Sequence, residues 1–265
     1  MSGVTITASS GDQGAAGDGD PSCSNNQQPL TSIFPGASPY VLSIGATMLV
    51  SSSNIATKSD HFATSDKQPK PPVCSSVNCA DVTKMEEVAC SYPEAIITTG
   101  GGFSNYSPRP SWQNSVVSTY FNFVSPSELP PASTFNSSNR GFPDVSALGH
   151  NFLVRLSGKW KSVDGTSASS PVWAGLIALW NDFEIKSGRP TLGFINPLIY
   201  QAFATDPTNF YDIKNGNNKC TESRCCQYGY ATAPGWDPVT GLGSPNFAKL
   251  YSFIQAQSSQ HFQQL

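Results

Sequence analysis

Apolar positions along this chain come in short runs separated by polar stretches rich in Gly, Ser and Pro. The run Gly3-Val4-Thr5-Ile6-Thr7-Ala8 predicts a short buried strand over 3–8. It leads straight into Ser9-Ser10-Gly11-Asp12, a loop at the strand's C-terminal end, where open α/β sheets place their ligands. Residues 13–38 read as loop, and Tyr40-Val41-Leu42-Ser43-Ile44-Gly45-Ala46-Thr47 as the next strand. Residues 51–85 are polar and rich in Lys, Ser and Pro, which predicts a surface excursion. Three successive glycines, Gly100 to Gly102, favour an irregular backbone. Pro110 precedes a helical pattern over 111–121, and 142–147 reads as a strand. Residues 152–163 alternate as a hairpin. Val172, Leu176, Leu179 and Phe183 then share one face of the clearest helix, 168–186. Further helices are expected at 195–203 and 247–256, with loop over 206–246. Strands alternating with helices define an α/β fold with a mainly parallel sheet. No repeat and no domain boundary is visible, so 1–265 reads as a single domain.

Composition narrows the setting. Charged residues make up 12% of the chain, about half the usual share. The net charge of -3 and the lack of a basic block exclude nucleic acid as the expected partner. No stretch reaches transmembrane length, so no membrane partner is expected, and a monomer is. Seven cysteines, at 23, 74, 79, 90, 220, 225 and 226, do not have the spacing of zinc ligands and predict disulfides, hence an oxidising compartment. Two N-glycosylation sequons, Asn105-Tyr106-Ser107 and Asn136-Ser137-Ser138, agree with export. The first residues carry no signal-peptide pattern, so the expectation is a chain truncated at its N-terminus.

The most informative stretch is Asp164-Gly165-Thr166-Ser167-Ala168-Ser169-Ser170-Pro171-Val172-Trp173-Ala174-Gly175. A Gly, a Ser and small residues entering an apolar helix let a substrate approach the backbone closely. The helix N-terminus aims free N–H groups and positive dipole at the same spot, which suits an oxyanion formed when Ser167 attacks a carbonyl. In a generic Gly-Thr-Ser, Thr166 or Ser167 would be only an N-cap. The full run resembles the serine motif of subtilisin-like enzymes in its sedolisin (serine-carboxyl peptidase) version. A second resemblance is Ser10-Gly11-Asp12-Gln13-Gly14. In that family this Asp donates to the oxyanion, which requires a protonated carboxyl and hence low pH. Alone, Ser-Gly-Asp would be a turn. The resemblance covers nearly the whole chain and implies a subtilisin-like α/β fold. It also implies an acid peptidase acting on peptides or proteins, in a lysosomal or secreted location, either a tripeptide-releasing exopeptidase, the preferred subtype, or an acid endopeptidase.

The same resemblance implies a calcium site near the C-terminus. Asp212 and Asp237 would supply carboxylates, and Ile213, Ala233 and Gly235 main-chain carbonyls, a donor set that suits hard Ca2+. The family often has Gly where Ala233 stands. It further implies a disulfide from Cys23 to the cluster Cys220, Cys225, Cys226, and another within that cluster. Cys74, Cys79 and Cys90 would hold the excursion. Asp144 is expected to fix a strand end and to carry no chemistry.

The base is the gap. The family uses a Glu and an Asp four residues apart on a helix. The chain's Glu residues, at 86, 87, 94, 128, 184 and 222, have no Asp at that spacing. The isolated chain is therefore expected to be inactive. Two other readings compete: a non-catalytic secreted pseudoprotease, and a Ser-His-Asp hydrolase using His150, since His61 and His261 lie in polar segments.

Overall fold

A computed structural model describes residues 3–20, 22–23, 30–51 and 85–262. Most of the 51–85 excursion, with His61, Cys74 and Cys79, lies outside the described residues. The central strand, β2 (Leu42–Ser51), is buried without a break from Leu42 to Met48, as expected of a strand covered on both faces. β1 (Thr7–Ser9) runs parallel to its first half, pairing Thr7 with Leu42 and Ser9 with Ile44. β3 (Met85–Ala89) runs antiparallel to its second half. β6 (Val145–Leu148) pairs parallel with residues 44–47. Two hairpin-like pairs flank this sheet: β4 (Gly102–Pro108) with β5 (Asn139–Phe142), and β7 (Phe152–Leu156) with β8 (Lys159–Val163). Short β9 (Phe210–Tyr211) and β10 (Ser244–Pro245) pair near the C-terminus.

Four α-helices are described: α1 (Asn114–Phe123), α2 (Thr166–Lys186), α3 (Asn196–Thr205) and α4 (Phe247–Phe262). α2 packs across β1, β2 and β6. Trp173, Ile177 and Trp180 are its buried face, and Trp173 Nε1 donates to the Ser146 carbonyl at 2.8 Å. α4 closes over its far half, with Phe183 and Tyr251 rings 5.5 Å apart. The outward side of α2 is largely apolar as far as Leu179, beyond which Asp182 and Lys186 form an exposed ion pair. Pro171, Ala174 and Ala178 are exposed, Leu179 is 54% exposed and Ile185 60%.

Three expectations shift. The first strand forms only at 7–9, because Gly3 adopts φ +69° and the Thr5 hydroxyl bonds the Gly193 carbonyl, drawing 3–5 away from β2. The 142–147 strand is split, because Pro143 has no N–H to pair, so β5 ends at Phe142 and β6 begins at Val145. Cys90 does not join a disulfide. It is a buried free thiol packed in an apolar cluster with Ala46, Met48 and Ile97. Among the described residues the bridges are Cys23–Cys226 and Cys220–Cys225, matching the two implied around the C-terminal cluster.

Asp144 is the structural residue expected. It and Arg140 are fully buried. Arg140 grips it with two bonds, Nη2 to Oδ2 at 2.6 Å and Nη1 to Oδ1 at 3.0 Å. Ser43 N–H donates to Oδ2 at 2.8 Å and Tyr200 hydroxyl to Oδ1 at 2.8 Å. The carboxylate thereby joins β2, the turn before β6, and α3.

Candidate active site

The Gly165-Thr166-Ser167 motif sits where the sheet and α2 meet. Gly165 caps α2, and its N–H donates to the Gly149 carbonyl at 2.8 Å. Ser169 hydroxyl donates to the Ala147 carbonyl at 2.8 Å, so the first turn is tied to the end of β6. Ser167 itself is exposed. Asp12, just beyond β1, reaches the same turn. Its Oδ1 accepts from Thr166 N–H at 2.8 Å and from the Thr166 hydroxyl at 2.6 Å. Thr166 Oγ1 in turn accepts from Gly11 N–H at 3.2 Å. Asp12 Oδ2 has no partner among the described residues.

Gly165 reveals what these groups surround. A β-carbon at Gly165 would lie 2.7 Å from Ser167 Oγ, 3.5 Å from Ser167 N and 3.5 Å from Asp12 Oδ2. A hydroxyl, a helix N-terminal N–H and a carboxyl oxygen thus converge on one small volume that only the absence of a side chain keeps open. Gly11 is equally constrained, with φ +104° and Ile33 Cδ1 2.2 Å from a would-be β-carbon. Residues 98–100 run alongside this loop: Thr98 N–H bonds the Asp12 carbonyl at 2.9 Å and Gly100 N–H the Gly11 carbonyl at 2.7 Å. A cavity of about 570 Å³ opens beside Ser167, walled by Phe152, Val154, Val163, Pro171 and Val172.

His150 is not brought to Ser167 as a base. Its Nδ1 pairs with Asp164 Oδ2 at 2.8 Å and its Nε2 with Asn151 Nδ2 at 2.7 Å, so both ring nitrogens are engaged. Asp164 was not singled out by sequence, yet it organises this corner. Besides His150, it accepts Asn151 N–H at 2.8 Å and Ile96 N–H at 3.0 Å. Burial pushes its carboxyl up, but the hydrogen bonds from His150, Asn151 and Ile96 outweigh burial, and its pKa lies below the ordinary value. A depressed folded pKa stabilises above the unfolded value of about 4 and is lost as pH falls through the folded pKa. The melting-temperature advantage of wild type over Asp164→Asn is therefore expected to be full at about pH 5 and to shrink below about pH 4. Thermal melts of both proteins across that range check it. An advantage that did not change with pH would contradict the assignment.

None of the described Glu residues lines the cavity at Ser167. Glu87 is held by Thr47 and Ser244, Glu86 by Asn215, and Glu184 by Arg189.

At the C-terminal loops, Asp237 is fully buried. Its Oδ1 accepts from Val239 and Thr240 N–H at 3.0 and 2.8 Å, and its Oδ2 from Ala233 N–H at 3.2 Å. Burial pushes its carboxyl up to about 7, against the pull of these backbone bonds. Asp212 accepts from Gly235 N–H at 3.1 Å, and burial raises its pKa too. Gly235 takes φ +84°, a conformation suited to glycine. The carbonyl oxygens of Ile213, Ala233 and Gly235 accept no hydrogen bond among the described residues, although Ile213 and Ala233 are buried. Two carboxylates that burial disfavours as anions, beside three unpaired carbonyls, form a donor set that fits a hard cation.

A serine hydroxyl and a carboxyl oxygen stand together at a helix N-terminus on a mainly parallel sheet, and the similarity to curated members shows that the chain belongs to the sedolisin family of serine-carboxyl peptidases. It is 56% identical to physarolisin of Physarum polycephalum over 253 residues, 96% of this chain and 42% of that protein. It is 36% identical to human tripeptidyl-peptidase 1 over 252 residues, 94% of this chain and 37% of that protein. Its fold matches a Pseudomonas sedolisin, a serine-carboxyl proteinase solved with pseudo-iodotyrostatin, with a TM-score of 0.63 and 27% identity over 97% of this chain and 57% of that one. No family model matches the chain. The chain spans about two-fifths of the length of these curated relatives.

Proposed function

We propose that the full-length protein is an acid serine-carboxyl peptidase that cleaves peptide bonds through an acyl-enzyme on Ser167. The observation that carries this is the convergence of Ser167 Oγ, Ser167 N and Asp12 Oδ2 around the open position at Gly165. In this reading the substrate carbonyl oxygen settles beside Ser167, next to the uncrowded face of Gly165, as it becomes an oxyanion, and Ser167 N–H and a protonated Asp12 donate to it. Asp12 Oδ1 is already occupied by Thr166, which leaves Oδ2 to carry the proton. The base comes from a Glu and Asp pair outside these 265 residues, and the open flank of α2 beside the Ser167 cavity gives room for the helix that bears them. The isolated chain is accordingly inactive. Release of tripeptides from N-termini is the preferred specificity, supported by the 36% identity to tripeptidyl-peptidase 1. The two disulfides support an oxidising, lysosomal or secreted setting.

The test is hydrolysis at about pH 4 of a tripeptide-reporter substrate, beside an internally quenched peptide with a blocked N-terminus. Cleavage of the first alone gives tripeptide release; cleavage of both gives an endopeptidase. A folded full-length protein that cleaves neither would support the pseudoprotease reading, which the lack of a described Glu at Ser167 favours.

Asp212 and Asp237, with the carbonyls of Ile213, Ala233 and Gly235, hold Ca2+ in this proposal. The ion's role is to neutralise the two carboxylates and brace the loops around Trp236. Calcium at about 100 times its Kd is expected to stabilise by about 2.7 kcal/mol, roughly 5–10 °C in Tm for a domain this size. Asp212→Asn should fold and lose that rise. An equal rise in wild type and Asp212→Asn would remove Asp212 from the site.

A further inference from the structure

Strand β1 ends at Ser9, so the place of Asp12 is set by whatever grips the loop beyond the strand. Backbone bonds hold residues 11–15 on two sides. On one side runs the segment 98–101. Gly100 N–H donates to the Gly11 carbonyl at 2.7 Å, Thr98 N–H to the Asp12 carbonyl at 2.9 Å, and Gly14 N–H to the Thr98 carbonyl at 2.9 Å. On the other side, Ala15 N–H donates to the carbonyl of Asn218 at 2.9 Å.

Asn218 joins the two sides. It is fully buried. Its Nδ2 donates to the Gly101 carbonyl at 3.2 Å and to the Pro238 carbonyl at 3.3 Å, and its Oδ1 accepts from Tyr230 N–H at 2.8 Å. Its own N–H donates to the Tyr230 carbonyl at 3.0 Å. The carboxamide thus uses both donor hydrogens and its acceptor, and a buried amide satisfied in this way is held in one orientation. One residue therefore grips the segment that carries Thr98 and Gly100 through its side chain, and the Asp12 loop through its main chain.

The fit is close at Gly14, which takes φ +57°. A β-carbon there would lie 2.5 Å from the Asn218 carbonyl oxygen and 2.0 Å from that of Cys220. The residues after Asn218 continue the contact. Glu222 N–H donates to the side-chain oxygen of Gln13 at 3.1 Å, and the Thr98 hydroxyl to the Thr221 carbonyl at 3.1 Å. Cys220–Cys225 closes this segment on itself, and Cys23–Cys226 ties it to the chain beyond the Asp12 loop.

We propose that Asn218 is a positioning residue for the oxyanion site. By locking 98–101 and 218–222 together around residues 11–15, it sets where the backbone under Asp12 stands, and so how Asp12 Oδ2 faces Ser167. Thr166 grips the carboxyl itself, whereas Asn218 holds the bed beneath it. Being buried, Asn218 reaches no substrate and acts only through Asp12.

The inference rests on the peptidase reading above, and the experiment separates the two. It uses the full-length protein. Asn218→Asp keeps the size of the side chain and the acceptor for Tyr230, and offers at most one of the two donors. Gln13→Ala loosens the same bed from its surface by freeing Glu222 N–H. Asn209→Ala is the control: Asn209 is also buried, but its Nδ2 serves the Ala202 carbonyl in α3. Peptide kcat and KM at about pH 4, affinity for a peptide aldehyde, and Tm are measured for each. The Pro238 bond reaches the candidate cation loops, so excess calcium is present throughout. The aldehyde reports on the oxyanion site directly. The Ser167 oxygen bonds its carbonyl carbon, the carbonyl π bond opens, and the hydroxyl proton ends on the hemiacetal oxygen that stands in the oxyanion position. The expected result is that Asn218→Asp lowers kcat about 10²-fold, the loss that a shift of about 1 Å brings. Aldehyde affinity should fall by a similar factor, with KM nearly unchanged. Gln13→Ala should move kcat and aldehyde affinity the same way by less, and Asn209→Ala should lower Tm without moving either. Folded Asn218→Asp with wild-type kcat and aldehyde affinity would overturn the inference and leave the peptidase reading standing. So would an Asn209→Ala protein showing the same loss of kcat. If Asn218→Asp does not fold, unchanged kcat and aldehyde affinity in Gln13→Ala overturn it instead. Wild-type protein that cleaves no peptide and binds no aldehyde would remove the peptidase reading and the inference with it.

Discussion

Replacing Ser167 by alanine in the full-length protein is expected to lower kcat for peptide hydrolysis by roughly 10⁴-fold or more, with the fold and the calcium response intact. The expectation follows from where the hydroxyl stands. It is exposed, it lies in the first turn of α2, and its oxygen would sit 2.7 Å from a β-carbon at Gly165. No other described serine shares that volume. Gly165→Ala makes a companion test of the same geometry. Its methyl group would stand 2.7 Å from Ser167 Oγ and 3.5 Å from Asp12 Oδ2, pushing on the groups proposed to meet the oxyanion while leaving Ser167 and Asp12 in the sequence. It should cost about as much activity as removing an oxyanion donor, on the order of 10²–10³-fold. Active-site titration together with kcat and KM for the three proteins checks both expectations. Gly165→Ala with wild-type kcat would show that the oxyanion does not form there.

The largest effect on stability is expected at the Arg140–Asp144 pair. Asp144→Ala leaves a guanidinium buried without its counter-charge and strips acceptors from Ser43 and Tyr200. Breaking a buried, hydrogen-bonded ion pair from one side costs about 3–5 kcal/mol. For a domain this size that lowers Tm by roughly 6–20 °C. The pair replaced together, Arg140→Met with Asp144→Leu, should cost less than Asp144→Ala, because no lone charge remains. Urea denaturation of the single and double variants measures the difference. A double variant less stable than Asp144→Ala would mean that the carboxylate's bonds to Ser43 and Tyr200 outweigh the charge pairing.

Much of this was legible in the chain because it rests on local chemistry. Gly165-Thr166-Ser167 before a small-residue helix specifies a turn, a hydroxyl and a helix end together, and the structure places them so. Asp12 was legible for the same reason: a strand leads directly into its loop. Asp164 was not. Its role depends on contacts with Ile96, far away in sequence, and with the turn at His150 and Asn151, which periodicity does not encode. His150 looked available as a base only because the Asn151 carboxamide that occupies its second nitrogen could not be foreseen. Strand ends were misread where one residue broke a pairing rule, as at Gly3 and Pro143. The carbonyls of Ile213 and Ala233 could be named from resemblance alone. That they meet no hydrogen-bond donor among the described residues is a fact of three-dimensional packing.

Cys90 bears on how the protein can be prepared. In the native state its thiol is buried, and burial, with the nearby charges of Asp164 and Asp12, pushes its pKa well above the ordinary value, so little thiolate exists to react. Before folding none of that protection applies. An unshielded seventh cysteine can then exchange with any of the others and trap crosslinked chains. Oxidative renaturation from denaturant should consequently yield less native material than a brief refolding step under reducing conditions followed by oxidation.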